Sequence, residues 1–457
     1  MLDLNNSKIV SKKVFIETLG CAKNVVDSER VAYVLKTKGA NITESPEEAD
    51  IIMVNTCGFI EDAKQESIDY ILTYARMKEE INKKRQVPQK LVVFGCLAER
   101  YKEELIKEIP EIDFISGVKD YLVLLDTLNG KHNGKILDTT KEYNDIIFSD
   151  RNFERVVNSE FPYAYLKISE GCNHTCSFCA IPLIRGKQRS RTIQSIVDEA
   201  KFLVDNGIKE VILVSQDTSN YGIDIYSKPR LVELLERLNQ VDGLEWIRLH
   251  YLYPTEVSDE LIDAVAGLSK VCKYFDIPLQ HVSDRILKLM RRGGNKERYV
   301  ELISRIREKV KDVAIRTTFI VGFPSETKEE FEELKEFVGN IRFNWMGVFT
   351  YSHEEGTYAF SMNDNIPKST KSRRRNTLLR IQQKITEEEL RKLVGKVKKV
   401  MIDTVLDDRN YIARSEINSP EIDGAIHLVS TRKLSKGDVV DAFVVKVVGY
   451  DLYARTI

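Results

Sequence analysis

Residues 171–191 read GCNHTCSFCAIPLIRGKQRSR, and the reading of the whole chain turns on them. Cys172, Cys176 and Cys179 form a C-x3-C-x2-C triplet. Three thiolates this close can hold three irons of one 4Fe–4S cube, leaving the fourth iron open to a ligand. A structural zinc knot is the competing reading. It needs a fourth ligand, and His174 lies too close to Cys172 to wrap easily around the same ion.

Working outward, the triplet follows directly on a strand-like run, YAYLKI (163–168). Five more such runs follow: EVILVSQ (210–216), WIRLHYLY (246–253), YFDIPLQ (274–280), VAIRTTFIVG (313–322) and WMGVFTYS (345–352). Helical patterns separate them, for example TIQSIVDEAKFLVDNG. Six strand–helix units predict an incomplete β/α barrel of parallel strands, whose site forms at the carboxyl ends of the strands. Gln216, Asp217, His250, Gln280, His281 and Ser352 fall at or after strand ends and are expected to face that mouth. In GFPSE (322–326), a Gly/Pro turn leads into an acidic helix start. Its backbone N–H groups, from Gly322 on, are expected to hold a polar part of a cofactor.

Upstream, residues 12–137 repeat a βαβαβα rhythm: VFIET (14–18), ADIIMVNT (49–56) and KLVVFG (90–95), each followed by a helical pattern. This predicts an open parallel sheet with helices on both faces. Cys21, Cys57 and Cys96 each stand in the turn after one of these strands, beside Gly20, Gly58 and Gly95. Such turns share one sheet edge, where ligands bind. Three cysteines far apart in sequence are therefore expected to converge as a second three-cysteine cluster site. Cysteine as a small apolar turn residue is the plainer reading of any one of them. The polar stretch 129–160 reads as a connector.

Downstream, the charged stretch 368–390 predicts a helix joining two domains; its basic run reads as a solvated face, with a contact to RNA or a ribosome as the other reading. Residues 395–457 change to short alternating strands, predicting a small antiparallel β-barrel of roughly five strands. That segment carries ten basic and nine acidic residues. A barrel that tracks phosphates is clearly basic, so its near-neutrality favours a protein partner over nucleic acid. The whole chain of 457 residues has net charge −1 and is 42% hydrophobic, as suits a globular protein of two or three domains. No apolar run is long enough for a bilayer and no secretory signal opens the sequence. Seven cysteines, not spread as a disulfide framework, fit thiols kept for metal in a reducing cytoplasm. Cys272 reads as plain packing.

The triplet, with Phe178 before its last cysteine, resembles the signature of radical S-adenosylmethionine (SAM) enzymes. The resemblance implies that the open iron chelates SAM and that an electron cleaves it to a 5′-deoxyadenosyl radical. Phe178 would then pack near the adenine; ordinary core is its other reading. The three domains together, 12–137, a radical-SAM barrel over 161–390 and a TRAM-like barrel over 395–457, resemble the methylthiotransferases over nearly the whole chain.

The motifs TLGCAKNVVDSE, NTCGFIEDAKQES, GCLAERY, SQDTSNYGID, DIPLQH and YSHEEGT are most similar to the branch acting on a ribosomal protein. Relatives that modify tRNA typically carry Gln-Met-Asn after the first cysteine, where this chain has Ala22, Lys23 and Asn24. They tend to have Val-Arg after the second, where it has Gly58 and Phe59. Ser325 departs from the family's usual glycine.

The resemblance implies a methylthio group placed on the β-carbon of an aspartate in small-subunit ribosomal protein S-twelve. Cys172, Cys176 and Cys179 would hold the radical-generating 4Fe–4S cluster. Cys21, Cys57 and Cys96 would hold an auxiliary 4Fe–4S cluster that delivers sulfur. Gln216 and Gly322 would lie at SAM, a second SAM would give the methyl group, and an electron donor is needed. The rival readings are a tRNA 2-methylthioadenosine methylthiotransferase and a non-catalytic metal-containing RNA-binding protein.

Overall fold

The computed structural model describes residues 9–118, 128, 135–137, 154–158 and 160–457. Most of the connector 129–160 lies outside these residues. The first unit is a parallel sheet. Its strands run in the order Asn41–Ile42, Lys13–Thr18, Ile51–Thr56, Lys90–Gly95, Phe114–Ser116, Ile136–Leu137. Ile51–Thr56 is buried along its whole length, as a strand covered on both faces must be. Met53, Val92 and Phe94 pack with Val31 and Leu35 on one face. Val54, Leu91 and Val93 pack with Ile71 and Leu105 on the other. Helices Ala22–Thr37, Glu61–Asn82 and Cys96–Glu108 follow the three long strands, so Cys21, Cys57 and Cys96 all stand at one edge.

The central unit has the six expected parallel strands: Tyr163–Lys167, Glu210–Val214, Trp246–Leu249, Tyr274–Asp276, Ala314–Val321 and Trp345–Thr350. They form two three-stranded sheets. A parallel bridge between Ile247 and Val271 links the two, making an open, partial barrel. Ala164, Leu166, Val211 and Leu213 turn outward into the helix-packed core with Ile196, Leu203 and Leu234. The alternate residues Tyr163, Tyr165, Lys167, Glu210 and Arg248 turn to the lumen.

The last unit is a closed five-stranded barrel in the order Val397–Val405, Asn410–Ser415, Ile426–Val429, Asp451–Thr456, Val439–Val448. Four pairings are antiparallel; Ile426–Val429 and Asp451–Thr456 close the barrel in parallel. The long helix Lys368–Arg391 leads into it. That helix is not simply solvated along its basic run. Lys371 is buried and pairs with Asp364 at 2.6 Å, and Arg374 pairs with Glu326 at 3.1 Å.

Two parts of the neighbouring units fill the lumen of the central barrel. Val26, on helix Ala22–Thr37, packs with Tyr163, Tyr165, Ile212 and Val214. From the other side the loop 416–424 enters. Arg248 donates to the Glu416 carbonyl at 2.6 Å and Trp345 to the Ile417 carbonyl at 2.7 Å. The Tyr163 and Tyr165 hydroxyls both donate to Glu421 at 2.9 Å.

Candidate active site

The three N-terminal cysteine turns touch one another. Gly20 has φ +90°, and a Cβ there would stand 2.5 Å from Cys57 Cβ and 2.8 Å from its Sγ. A Cβ on Gly58 would stand 2.8 Å from the Leu97 backbone and 2.9 Å from that of Cys96. Only glycine permits these approaches. Burial pushes the Cys57 thiol up to about 12, and the closeness of Cys21 and Cys96 adds to it. Burial likewise raises Cys96, against the pull of Arg185.

The second trio is also gathered. Burial pushes Cys172 up to about 11 and Cys179 up to about 12, with Cys176 adding to both. Ser177 pins their loop: its N–H donates to the Met290 carbonyl at 2.9 Å and its hydroxyl to Leu289 at 2.8 Å. His174 lies outside any ligand role here. It stacks on Tyr253 at 3.7 Å between ring centres and bonds Asp217 at 2.6 Å. Arg292 covers the other side of this edge, its guanidinium 4.1 Å from the Tyr253 ring and 3.7 Å from Cys176 Sγ.

None of the six cysteines is in a disulfide. Buried thiols held near one another stay protonated unless a cationic centre draws off the protons. Each trio also has one arginine aimed at a sulfur. These features fit an iron–sulfur cube at each trio. Among the described residues, no three His, Cys, Asp or Glu are gathered tightly enough for a single ion.

A buried polar network links the N-terminal trio to Glu170, just before the second trio. Arg185 Nη2 donates to Cys96 Sγ at 3.3 Å and to Asn24 Oδ1 at 2.8 Å. Its Nη1 reaches Asp27 at 3.1 Å and Glu170 at 2.9 Å. Lys167 lies between the same two carboxylates, bonding Asp27 and, at 2.7 Å, Glu170. These cations hold Glu170 well below the usual carboxylate range despite its burial. Behind them Glu199 takes Arg30 at 2.7 Å and also pairs with Arg191, which holds its carboxyl at about 2 against burial.

The other expected mouth residues divide. Gln216 Nε2 donates to Glu170 at 3.0 Å, and its Oε1 is buried with no hydrogen-bond donor. An orphaned acceptor there fits a bound ligand with N–H or O–H groups. Phe178 packs with Ile286, Met290 and Phe323. Gly322 has φ +75°, and its N–H and that of Phe323 both donate to Glu326 inside the turn. Those two donors are therefore already taken, contrary to the expectation for this loop. His250 bonds Ser419 at 2.8 Å and Ser352 accepts from Glu61 N–H at 3.0 Å, so both tie units together. Gln280 stands at φ +72°, and His281 accepts from the Ser283 N–H at 3.1 Å. Cys272 is buried in the barrel-to-barrel core, as expected. Arg185 and Arg292 carry no sequence signal of their own, and Lys23 stands out in the sequence only as part of the run after Cys21. Arg185 lies inside the opening stretch, but nothing local marks a partner eighty-nine positions away.

Comparison with known proteins agrees with this architecture. The Radical SAM superfamily matches residues 166–338, the Uncharacterized protein family UPF0004 residues 13–117 and the TRAM domain residues 394–457. The class is thus the radical SAM enzymes, which work with SAM and a 4Fe–4S cluster. The ribosomal protein uS12 methylthiotransferase of Aquifex aeolicus is 48% identical over 445 residues, covering 97% of each chain. That of Thermoanaerobacter sp. (strain X514) is 45% identical, covering 96% of this chain and 99% of its own. The chain belongs to this methylthiotransferase family. Among solved structures, the radical SAM methyltransferase TsrM from Kitasatospora setae is similar in fold. Its TM-score is 0.54 at 15% identity, and the match covers 75% of each chain. No helix among the described residues is long and apolar enough to cross a membrane.

Proposed function

We propose that this chain places a methylthio group on the β-carbon of an aspartate of ribosomal protein uS12, in the cytoplasm and with an external electron donor. The carrying observation is the buried network around Arg185, which ties Cys96 of one trio to Glu170, two residues before Cys172 of the other. Cys172, Cys176 and Cys179 hold one 4Fe–4S cluster beside SAM, and Cys21, Cys57 and Cys96 hold the other. Bound there, the groups supply a carbon radical strong enough for an unactivated C–H bond, together with sulfur and a methyl group. We take the three units as residues 12–137, 161–390 and 395–457.

The chain's own residues bind, orient and exclude water. Gln216, with its orphaned Oε1, would accept a hydrogen bond from the cofactor, and Phe178 would close the apolar side beside Phe323. Arg292 and Arg185 each steady one thiolate by a charge-assisted N–H···S contact. Asp27, Lys167 and Glu170 fix the height of the N-terminal helix above the barrel. Val26, Tyr163 and Tyr165 keep the lumen dry beneath it, as radical chemistry requires.

The test is mass spectrometry of uS12 and of tRNA nucleosides from strains with and without the gene. A uS12 aspartate that carries the methylthio group only when the gene is present supports the reading. An unchanged uS12, with 2-methylthioadenosine lost from tRNA, overturns it in favour of an RNA substrate.

A further inference from the structure

Lys23 differs from the other buried cations of the junction. Lys167, Arg185, Arg30 and Arg191 each meet a carboxylate. Lys23 is 7% exposed, and no carboxylate among the described residues pairs with it. Its Nζ donates to the Ser215 carbonyl at 3.2 Å and lies 3.9 Å from the ring centre of Tyr251. An ammonium has three N–H donors, and one carbonyl leaves two of them unserved. Burying a charge without a counter-charge is costly. Thiolates at the Cys21 trio, two residues away, offset part of that cost when the cluster is bound, and a carboxylate in direct contact would offset the rest.

Its position says which ligand. Lys23 stands two residues after Cys21, in the first turn of helix Ala22–Thr37. Ser215 follows the strand Glu210–Val214 and Tyr251 follows Trp246–Leu249, so both lie at the carboxyl edge of the barrel. The ammonium is therefore between the N-terminal trio and the barrel mouth. Tyr251 is itself fixed. Its φ is +61°, and its N–H donates to Asp276 at 3.0 Å. Asp276 is committed to this N–H and to Arg316 at 3.1 Å.

We propose that Lys23 is a specificity residue that receives the side-chain carboxylate of the acceptor and so sets its β-carbon between the two trios. The assignment rests on the uS12 reading above and deepens it by naming the residue that recognises the aspartate's carboxylate. An adenine base brings no carboxylate; its ring nitrogens accept a hydrogen bond but bring no negative charge to this ammonium. SAM does carry one, so the two sources are separated in the test.

The test uses the full-length, anaerobically reconstituted holoenzyme and two labelled uS12 peptides. One contains the acceptor aspartate and the other asparagine in its place. Wild-type protein is expected to bind the aspartate peptide on the order of 30-fold more tightly, as one buried charge-assisted contact allows. Lys23→Met is expected to bind both peptides alike, and Lys23→Arg to keep part of the preference. Iron content reports folding in each variant, and Lys23→Gln replaces the Met variant if that fails to load iron. The same aspartate preference in wild type and in the neutral variant overturns the proposal. So does a loss of SAM affinity in that variant while the peptide preference stays, because the carboxylate is then the cofactor's. A wild-type holoenzyme that cleaves SAM yet binds neither peptide overturns the uS12 reading itself, and is told apart because no substitution is involved.

Discussion

Arg185 touches Cys96 Sγ at 3.3 Å although the two residues belong to different units of the chain. Arg185 ends the short helix Ile181–Arg185 just beyond the Cys172–Cys179 triplet, and Cys96 opens the helix Cys96–Glu108 of the first unit. One guanidinium therefore ties the first unit's Cys96 turn to the segment that follows the triplet, and it does so while 2% exposed.

Replacing this arginine should change a property that packing alone does not control. Hydrogen bonds and positive charge at cluster sulfurs raise a reduction potential. Arg185→Leu is expected to lower the potential of the N-terminal cluster by on the order of 50 mV, with Arg185→Lys intermediate. It also strips Asp27 and Glu170 of one buried partner, at a stability cost of about 3 kcal/mol. A redox titration followed by electron paramagnetic resonance reads the first effect and thermal unfolding the second. An unmoved potential in a variant that retains its iron would show that the contact only packs.

Gly20 offers a more local lesion. A methyl group there meets Cys57 Cβ at 2.5 Å in a left-handed backbone region. Gly20→Ala should cost about 1–3 kcal/mol from the strained φ and the overlap. It should also push Cys57 away from Cys21. Iron per chain is then expected to fall by about half in the whole protein, since the Cys172 trio is built on other elements. Full iron loading would mean that the turn relaxes without moving the sulfur.

The long strands and the gathering of the cysteines in two trios are legible in sequence because short apolar runs, each ending near a glycine turn, are local signals. Ile51–Thr56 and Lys90–Gly95 are the plainest cases. Asn41–Ile42, Phe114–Ser116 and Ile136–Leu137 are not, being two or three residues long; pairing with a neighbouring strand, and not their own pattern, makes them strands. The junction is hidden for a different reason. Lys167, Glu210 and Arg248 look like interruptions of apolar strands, and only the arrival of Asp27 and Arg414 from distant parts of the chain explains them. Lys371 and Arg374 were read as solvated for the same reason: their partners Asp364 and Glu326 stand outside the helix that carries them.

Ser325 is a case where sequence and backbone explain each other. Its φ is +66°, a conformation that costs an L-residue roughly 1 kcal/mol and that glycine, which the family resemblance implies here, adopts freely. Arg285 compensates by bonding the Ser325 hydroxyl at 3.1 Å and carbonyl at 2.7 Å. Ser325→Gly relieves the strain but loses one exposed hydrogen bond and gains unfolded-state entropy. The net change is expected within about 0.5 kcal/mol of zero. Paired with Arg285→Ala, which removes the compensation, the glycine should become clearly stabilising. Chemical denaturation of the four proteins in a double-mutant cycle gives the coupling, and strict additivity would refute the compensation.

Asp423 gives the docking of the C-terminal barrel a pH dependence whose sign can be worked out. It sits on the loop 416–424, fully buried in the lumen. It accepts from the Tyr274 hydroxyl at 2.7 Å and the Ser419 N–H at 2.8 Å, with Arg316 at 3.6 Å. Burial raises its carboxyl to about 6 from an ordinary 3.8, outweighing Arg316 and the two donors. The folded protein thus binds this proton more tightly than the unfolded chain does. Below about pH 4 the group is neutral in both states and adds no penalty. Between about pH 4 and 6 the unfolded chain ionises first, so stability falls as pH rises. Above pH 6 the full penalty of about 3 kcal/mol is present, from 1.36 kcal/mol per unit. Asp423→Asn keeps an acceptor for Tyr274 and Ser419 but cannot ionise. The variant should therefore lose less stability than wild type on going from pH 5 to pH 7.5, by about 1.4 kcal/mol, because roughly half of the penalty is already present at pH 5. Thermal unfolding of both proteins at the two pH values isolates this one group from all others that titrate in common. Parallel changes in the two proteins would mean that Asp423 is already ionised at pH 5, held so by Arg316.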